Sequence, residues 1–429
     1  MFKFLRLLIA QNLLLKVSSF NALSIFVRVG CGLITSKLIA FYLGAPGMAI
    51  LGDLRNFMNS VQSISHLGIS NGVIKYTAEY KSDKIKLSRV SATALKIGFG
   101  ASVIAGISLV LFANPLNYFL FSGMYDFTSI IQILGVALPL LTLNGLVLNI
   151  INGLGSYKKV IQINIGTQLI SVFIFAVFVF YFNLFGALVA LVISGVFSLV
   201  ITGLFMIRKR SCFKQIVSEP INWEILKKLA SYGGMTLFSA IASPWVYIAI
   251  RKNIIKVDGL VNAGYWDAML RLSDYYMMFV TTLMTLYLLP KLATNTKKSE
   301  FKKEVFNFYK TILPLFGMGL ILIFLLKAYL IKIVFNASFL EMQPIFIWQL
   351  AGDFFRVASL VIAYQLIAKN LFWTFIITQI VSLTIIYFSS TLFTNAYGFV
   401  GASIGHFLSY VMYFLVLLVI FRKSLFGED

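Results

Sequence analysis

Residues 183–210 read NLFGALVALVISGVFSLVITGLFMIRKR. After Asn183 the run stays apolar for more than twenty residues, with no charge until Arg208, Lys209 and Arg210. A bilayer core of about 30 Å needs roughly 20 such residues in a helix. Uncharged apolar residues followed by a basic cluster describe a spanning helix that ends on the inner side of a membrane. Residues 395–423, NAYGFVGASIGHFLSYVMYFLVLLVIFRK, repeat the pattern. Both begin Asn-x-aromatic-Gly-x-x-x-Ala, as Asn183, Phe185, Gly186, Ala190 and as Asn395, Tyr397, Gly398, Ala402. Both end in basic residues, among them Arg210 and Arg422. The two copies align at a separation of 212.

Working outward, the same character fills all 429 residues. Apolar residues make up 59%, Phe alone numbers 41, and charged residues are only 12%. Soluble domains carry about 25% charged residues, so a soluble enzyme, a disordered chain or a DNA-binding domain is excluded. Cys31 and Cys212 supply no disulfide framework. The expected fold is an all-α membrane protein of twelve transmembrane helices. These are expected near 17–43, 48–78, 89–113, 127–152, 160–182, 184–207, 228–250, 261–289, 305–335, 342–368, 371–393 and 397–421. Residues 1–16 are expected to form an amphipathic interfacial segment. The N-lobe is expected over 17–208 with helices 1–6, and a cytoplasmic inter-lobe loop over 209–227. The C-lobe takes 228–423 with helices 7–12, and the tail is 424–429.

Net charge is +21, from 36 Lys+Arg against 15 Asp+Glu. With twelve spans and both termini cytoplasmic, twenty-four of the basic residues fall on the inner side and five outside, which is the positive-inside pattern. The excess charge is thereby explained without a nucleic-acid partner. Spans two and eight align at 216, pairing Arg55 with Arg271 and Lys75 with Lys291. Two six-helix halves in one orientation fit a parallel-repeat transporter with its substrate between the lobes. No phosphate-binding Gly-rich stretch of the ATPase type occurs, so the chain reads as a secondary transporter or flippase rather than an enzyme. No cofactor and no metal is expected. His66 and His406 lack companions for a metal site.

Charge inside a membrane is costly and marks a pathway. On span two, Arg55, Asn59, Gln62 and His66 share one helical face, either a polar seam or the wall of a wet cavity. Arg28 on span one suits the cavity, while Lys37 snorkels or pairs with an acid. Span eight carries Asp267, Arg271 and Asp274 on one face, and span ten carries Asp353 and Arg356 at i,i+3. Either set reads as a self-neutralised network or as part of a site. Converging arginines suit a phosphate or pyrophosphate, because the guanidinium is planar and permanently charged. Asp53, Asp267, Asp274 and Asp353 are the candidates for ion or proton coupling. Gly401-x-x-x-Gly405 reads as a packing face, and Pro139, Pro244 and Pro314 as kinks or breaks in spans four, seven and nine.

Several stretches resemble the Wzx-type lipid-linked oligosaccharide flippases of the polysaccharide-exporter, or MOP, superfamily. They are Phe41 to Gly47, Asn71 to Tyr76 with Glu79 and Tyr80, Tyr247 to Lys252, Trp266 with Ser273 and Asp274, Tyr287 to Pro290, and Trp348 to Asp353 through Lys369. The resemblance implies a MATE-like fold of two six-helix lobes around a central cationic cavity. It implies export of undecaprenyl-pyrophosphate-linked oligosaccharide across the inner membrane, for O-antigen lipopolysaccharide or enterobacterial common antigen. A polymerase and a chain-length regulator are the implied partners beside the lipid bilayer. The cations matching the family pattern are Arg28, Arg55, Arg251 and Arg356; Arg271 rests on the charge reading alone. A multidrug or cation antiporter of the same superfamily, a peptidoglycan lipid II flippase, and a membrane glycosyltransferase or polymerase are the alternatives. Short outer loops weigh against the last.

Overall fold

The computed structural model describes residues 13–121, 123–206, 219–294 and 298–426. Among them the chain is helical throughout, without a strand. In hydrocarbon every backbone N–H and C=O must bond within its own segment, and a helix does this alone. The elements are α1 (Leu13–Tyr42), α2 (Gly44–Ser65), α3 (Ser70–Glu79), α4 (Lys84–Leu111), α5 (Ala113–Phe121), α6 (Thr128–Gly153) and α7 (Tyr157–Met206). There follow α8 (Trp223–Leu283), a π-helical turn (Met284–Leu288), α9 (Leu289–Thr294), α10 (Lys298–Leu325) and α11 (Lys327–Val334). After a 3-10 turn (Ala337–Met342) come α12 (Ile345–Ala368), α13 (Phe372–Tyr397), α14 (Phe399–Ile420) and α15 (Arg422–Leu425).

Among the described residues, nine helical stretches are long and apolar enough to cross a membrane. Two of them are double: α7 breaks at Asn183 into 157–182 and 184–206, and α8 breaks at Gly259 into 223–258 and 260–283. The twelfth crossing is α2, whose charged and amide residues disqualify it by hydropathy alone. Its span continues as α3 after a break at Leu67 and Gly68, where φ is 50° and 65°. Residues 13–16 of the expected interfacial segment belong to α1, and 1–12 lie outside the described residues. So do 209–218 of the expected inter-lobe loop and 427–429 of the tail.

The breaks reveal the repeat. Left-handed residues occur at Gly44 and Gly259, at Gly155 and Asn370, and at Asn183 and Gly398, each pair 215 residues apart. Helix 157–182 and α13 (Phe372–Tyr397) are likewise 215 apart and equally long. At Gly186 an added Cβ would lie 2.0 Å from the Phe178 carbonyl oxygen, and at Gly401 1.9 Å from that of Phe393. The separation of 212 read from the two Asn-x-aromatic-Gly motifs is therefore three residues short. Asn183 is equivalent to Gly398, and Gly186 to Gly401. A turn of positive φ favours Gly, and after it Asn, so the motif asparagine and the motif glycine exchange roles. Arg55 and Arg271, aligned at 216, are one residue out of this register, or about 100° around a helix. The prolines do not supply the breaks: α6, α8 and α10 run through Pro139, Pro244 and Pro314.

Contacts divide the chain into two compact units. One takes the chain up to Thr35 together with Asp53–Ile241; the other takes Ser36–Gly52 and the chain from Ala242 onward. The first has a core in which Val73, Leu146, Ile150 and Leu229 pack together. The second has one core around Met284, Phe301, Val361 and Leu417, and another around Ala49, Ile254 and Trp266. Large apolar side chains such as Phe41, Phe173 and Trp373 remain exposed on the outside, as expected where lipid is the solvent.

Candidate functional site

Helix 260–283 organises the charges of the second unit. Asp267 and Arg271 are one turn apart on it, and Arg271 Nε lies 3.4 Å from Asp267 Oδ2. Arg251, on the preceding helix before the turn at Gly259, places Nη2 2.6 Å from Asp267 Oδ1. Neither Arg251 nor Asp267 has any exposed side-chain surface. The Arg251 guanidinium also lies 5.6 Å from the ring centre of Trp266, which stacks on Tyr247. The backbone of Gly52 completes the enclosure, since a Cβ there would sit 2.2 Å from Asp267 Oδ1. One carboxylate thus bridges two arginines in a dry environment, where their fields are poorly screened.

The next turns of the same helix serve a second cluster. Ser273 Oγ and Tyr276 OH both donate to Asp353 Oδ2, the latter at 2.5 Å. The other oxygen, Oδ1, faces two nitrogens: Arg356 Nη1 at 3.7 Å and His406 Nε2 at 3.1 Å. His406 Nε2 is also 3.1 Å from Gln349 Nε2, while Ser403 Oγ donates to Gln349 Oε1 at 3.3 Å. Gly352 permits this approach, because a Cβ there would strike the imidazole at 2.3 Å. Tyr410 packs edge-on to His406 and lies under the Arg356 guanidinium. Asp353 is fully buried, whereas the Arg356 side chain keeps 27% of its surface. Arg356 is thus the most accessible of the three arginines here, with Arg271 at 7% and Arg251 at zero. Asp274, one residue beyond Ser273, is exposed.

In the first unit Arg28 is exposed on α1. On α2, Asp53 is buried, Arg55 and Gln62 are half-buried, and Asn59 is exposed. Among the described residues neither Arg28 nor Arg55 forms an ion pair with a carboxylate. His66 at the end of this face bonds the Thr142 carbonyl at 3.3 Å, and Ser65 bonds the Thr142 hydroxyl. Lys37 does not pair with an acid: its Nζ donates to the Lys332 carbonyl at the end of α11, 2.8 Å away, where the last carbonyls of a helix lack partners. Among the described residues no group of three His, Cys, Asp or Glu is placed to hold a metal.

Sequence spacing finds Asp267 with Arg271 and Asp353 with Arg356, because i,i+4 and i,i+3 neighbours meet on any helix. It misses Arg251 as the tighter partner of Asp267, and Ser273, Tyr276 and His406 as partners of Asp353. For His406 a signal exists: the chain has two histidines, and one within an apolar span needs a polar neighbour.

No family model matches the chain. It is 27% identical over 404 residues to the lipid III flippase of Escherichia coli strain K12, covering 94% of this chain and 96% of that one. The lipid III flippase of Shigella flexneri matches with the same values. Among solved structures, an inward-facing multidrug-resistance MATE transporter of the MOP superfamily superposes with a TM-score of 0.71 at 12% identity. It covers 93% of this chain and 98% of that one. A MATE transporter of Vibrio cholerae gives 0.65 at 14%, covering 96% and 98%. A MOP transporter of Pyrococcus furiosus gives 0.55 at 14%, covering 94% and 96%. The fold is that of a two-lobed MOP transporter, all-α and multi-pass in the membrane. The relatives are flippases and transporters, not enzymes.

Proposed function

We propose that this protein is a flippase for undecaprenyl-pyrophosphate-linked oligosaccharide. It moves one repeat unit from the inner to the outer leaflet of the cytoplasmic membrane by alternating access, for O-antigen or enterobacterial common antigen. The observation that carries the reading is the similarity to two lipid III flippases over nearly the whole of each chain. The charge distribution supports it. Arg28, Arg55 and Arg356 keep accessible surface within their spans, and a fork of N–H donors suits a pyrophosphate. Arg271 and the enclosed Arg251 are further arginines of the second unit, and Asn59 and Gln62 of the first carry amides suited to sugar hydroxyls. Asp53, Asp267, Asp274 and Asp353 are the acids available for ion coupling.

Lobes 17–208 and 228–423, with both termini cytoplasmic, set the topology in this reading. The membrane potential assists outward movement of an anionic head group by about 2.3 kcal/mol per charge per 100 mV. Delivery to the outer leaflet would hand the unit to a polymerase working with a chain-length regulator.

Purified protein in liposomes, given a fluorescent undecaprenyl-pyrophosphate oligosaccharide on one side, tests the proposal. Leaflet exchange is expected for the native chain and is expected to fall at least tenfold in Arg55→Ala and Arg356→Ala of unchanged folding. No exchange under an imposed potential or pH gradient, together with export of cationic dyes, would replace the flippase by a drug antiporter.

A further inference from the structure

Asp353 Oδ1 is shared. Arg356 Nη1 and His406 Nε2 approach the same oxygen, while Oδ2 is filled by the hydroxyls of Ser273 and Tyr276. His406 Nε2 in turn stands between Asp353 and the Gln349 amide nitrogen, 3.1 Å from each. One imidazole nitrogen cannot accept a hydrogen bond from Gln349 and donate one to Asp353 at the same time. The cluster therefore has two alternative arrangements that differ by one proton on Nε2.

We propose that His406 is a proton-loaded positioning residue that decides whether Arg356 is held by Asp353 or released to the anionic group of the substrate. With Nε2 bare, the imidazole accepts from Gln349, and the negative charge of Asp353 is left to Arg356. When a proton from water binds Nε2, the Gln349 bond breaks, its amide turns to offer Oε1, and a charged N–H···Oδ1 bond forms. Asp353 is then neutralised by the imidazolium. Arg356, already 27% accessible, loses the charge of Asp353 as its ion-pair partner and turns its donors to a pyrophosphate. Ser273 and Tyr276 keep Oδ2 occupied in both arrangements, so the contest is confined to Oδ1.

The surroundings suit such a switch. Imidazole is the side chain whose charge ordinarily changes between about pH 5 and 8. The ionisable neighbours are few. Helix 260–283 brings Asp274 and Tyr276, helix 223–258 brings Tyr247, α12 brings Asp353 and Arg356, and α14 brings Tyr410. On α13, which packs along α14 through Ser389 and Ser390, the sequence contains no charged residue. Linkage makes the effect reciprocal: protonation of His406 strengthens anion binding, and anion binding favours protonation.

The inference rests on the pyrophosphate reading of the site, and its test separates the two. Farnesyl pyrophosphate is the soluble probe, with binding measured in detergent between pH 5.5 and 8. Native protein is expected to bind it about tenfold more tightly at the lower pH than His406→Gln does, an ordinary size of coupling. Asp353→Asn is expected to bind with the slope of His406→Gln. Titration of the ligand's own phosphate, near pH 6 for phosphate esters, is common to all variants and cancels in the comparison. In a His66→Gln background His406 is the one histidine of the chain, and its ring resonance is expected to move toward the protonated position when the probe is added at fixed pH. This readout leaves the cluster itself unaltered, so it does not depend on the folding of a position-406 variant. Equal slopes for native and His406→Gln protein with an unmoved ring resonance overturn the switch while leaving the site. Absence of probe binding at every pH overturns the pyrophosphate reading and, with it, the switch.

Discussion

Arg251 and Asp267 form an ion pair of 2.6 Å in which neither side chain has any exposed surface. The pair bridges the turn at Gly259 and ties the two helices of α8 together. A buried pair is weak evidence for net stability, but removing one partner leaves an uncompensated buried charge. Asp267→Asn is expected to cost roughly 3–5 kcal/mol, because it removes the charge of the carboxylate that both Arg251 and Arg271 pair with. Asp274→Asn, on the exposed face of the same helix, is expected to cost under about 1 kcal/mol. Thermal unfolding in detergent compares them directly.

Gly52 lies where no side chain fits. A Cβ would fall 2.2 Å from Asp267 Oδ1 and 2.8 Å from Arg251 Nη2. Gly52→Ala should therefore approach Asp267→Asn in severity. Gly203→Ala, with nothing within 4 Å of its added Cβ, should stabilise by up to about 1 kcal/mol through helix propensity. Equal shifts in melting temperature for the two would contradict this.

The 215-residue repeat makes a paired prediction. Gly186→Ala and Gly401→Ala both drive a Cβ into the carbonyl of the residue eight positions earlier. Both should separate their helical hairpins and lower expression of folded protein to a similar degree. A harmless Gly186→Ala beside a damaging Gly401→Ala would break the equivalence.

Asn183 holds φ 47° and ψ −131°, a region suited to glycine, and its repeat partner Gly398 holds φ 60° and ψ −150°. Such positions cost other residues about 1–3 kcal/mol. Asn183→Gly should raise the melting temperature. Gly398→Ala should lower it, with a second penalty because its Cβ would meet Asp258 Oδ2 at 2.5 Å.

Asp83 caps α4 by accepting the amides of Ile85 and Lys86. Hydrogen bonding from the Lys86 amide, chiefly, holds its carboxyl below the ordinary 3.8. The sign follows from linkage: the cap is in full effect above that ordinary value and is lost as pH falls through the lower folded one. Hydrogen exchange at the Ile85 and Lys86 amides should lose protection over that acid range in native protein. In Asp83→Ala the protection should be low at every pH.

The sequence by itself determined the class and the number of crossings, because apolar runs about 20 residues long have no other stable home. It also located most helix boundaries to within a few residues and found the local pairs Asp267–Arg271 and Asp353–Arg356, since helical periodicity fixes who is next to whom on one helix. It placed the repeat three residues off, because Asn and Gly both satisfy a left-handed turn and the letters alone do not say which does. Only the tertiary structure decided that Arg251 crosses the Gly259 turn to Asp267. Only it brought Ser273, Tyr276 and His406 from two further helices onto Asp353. Those contacts depend on the rotation and depth at which separate helices pack, and that is set by the summed shapes of many apolar side chains and tight glycines rather than by any spacing within one helix.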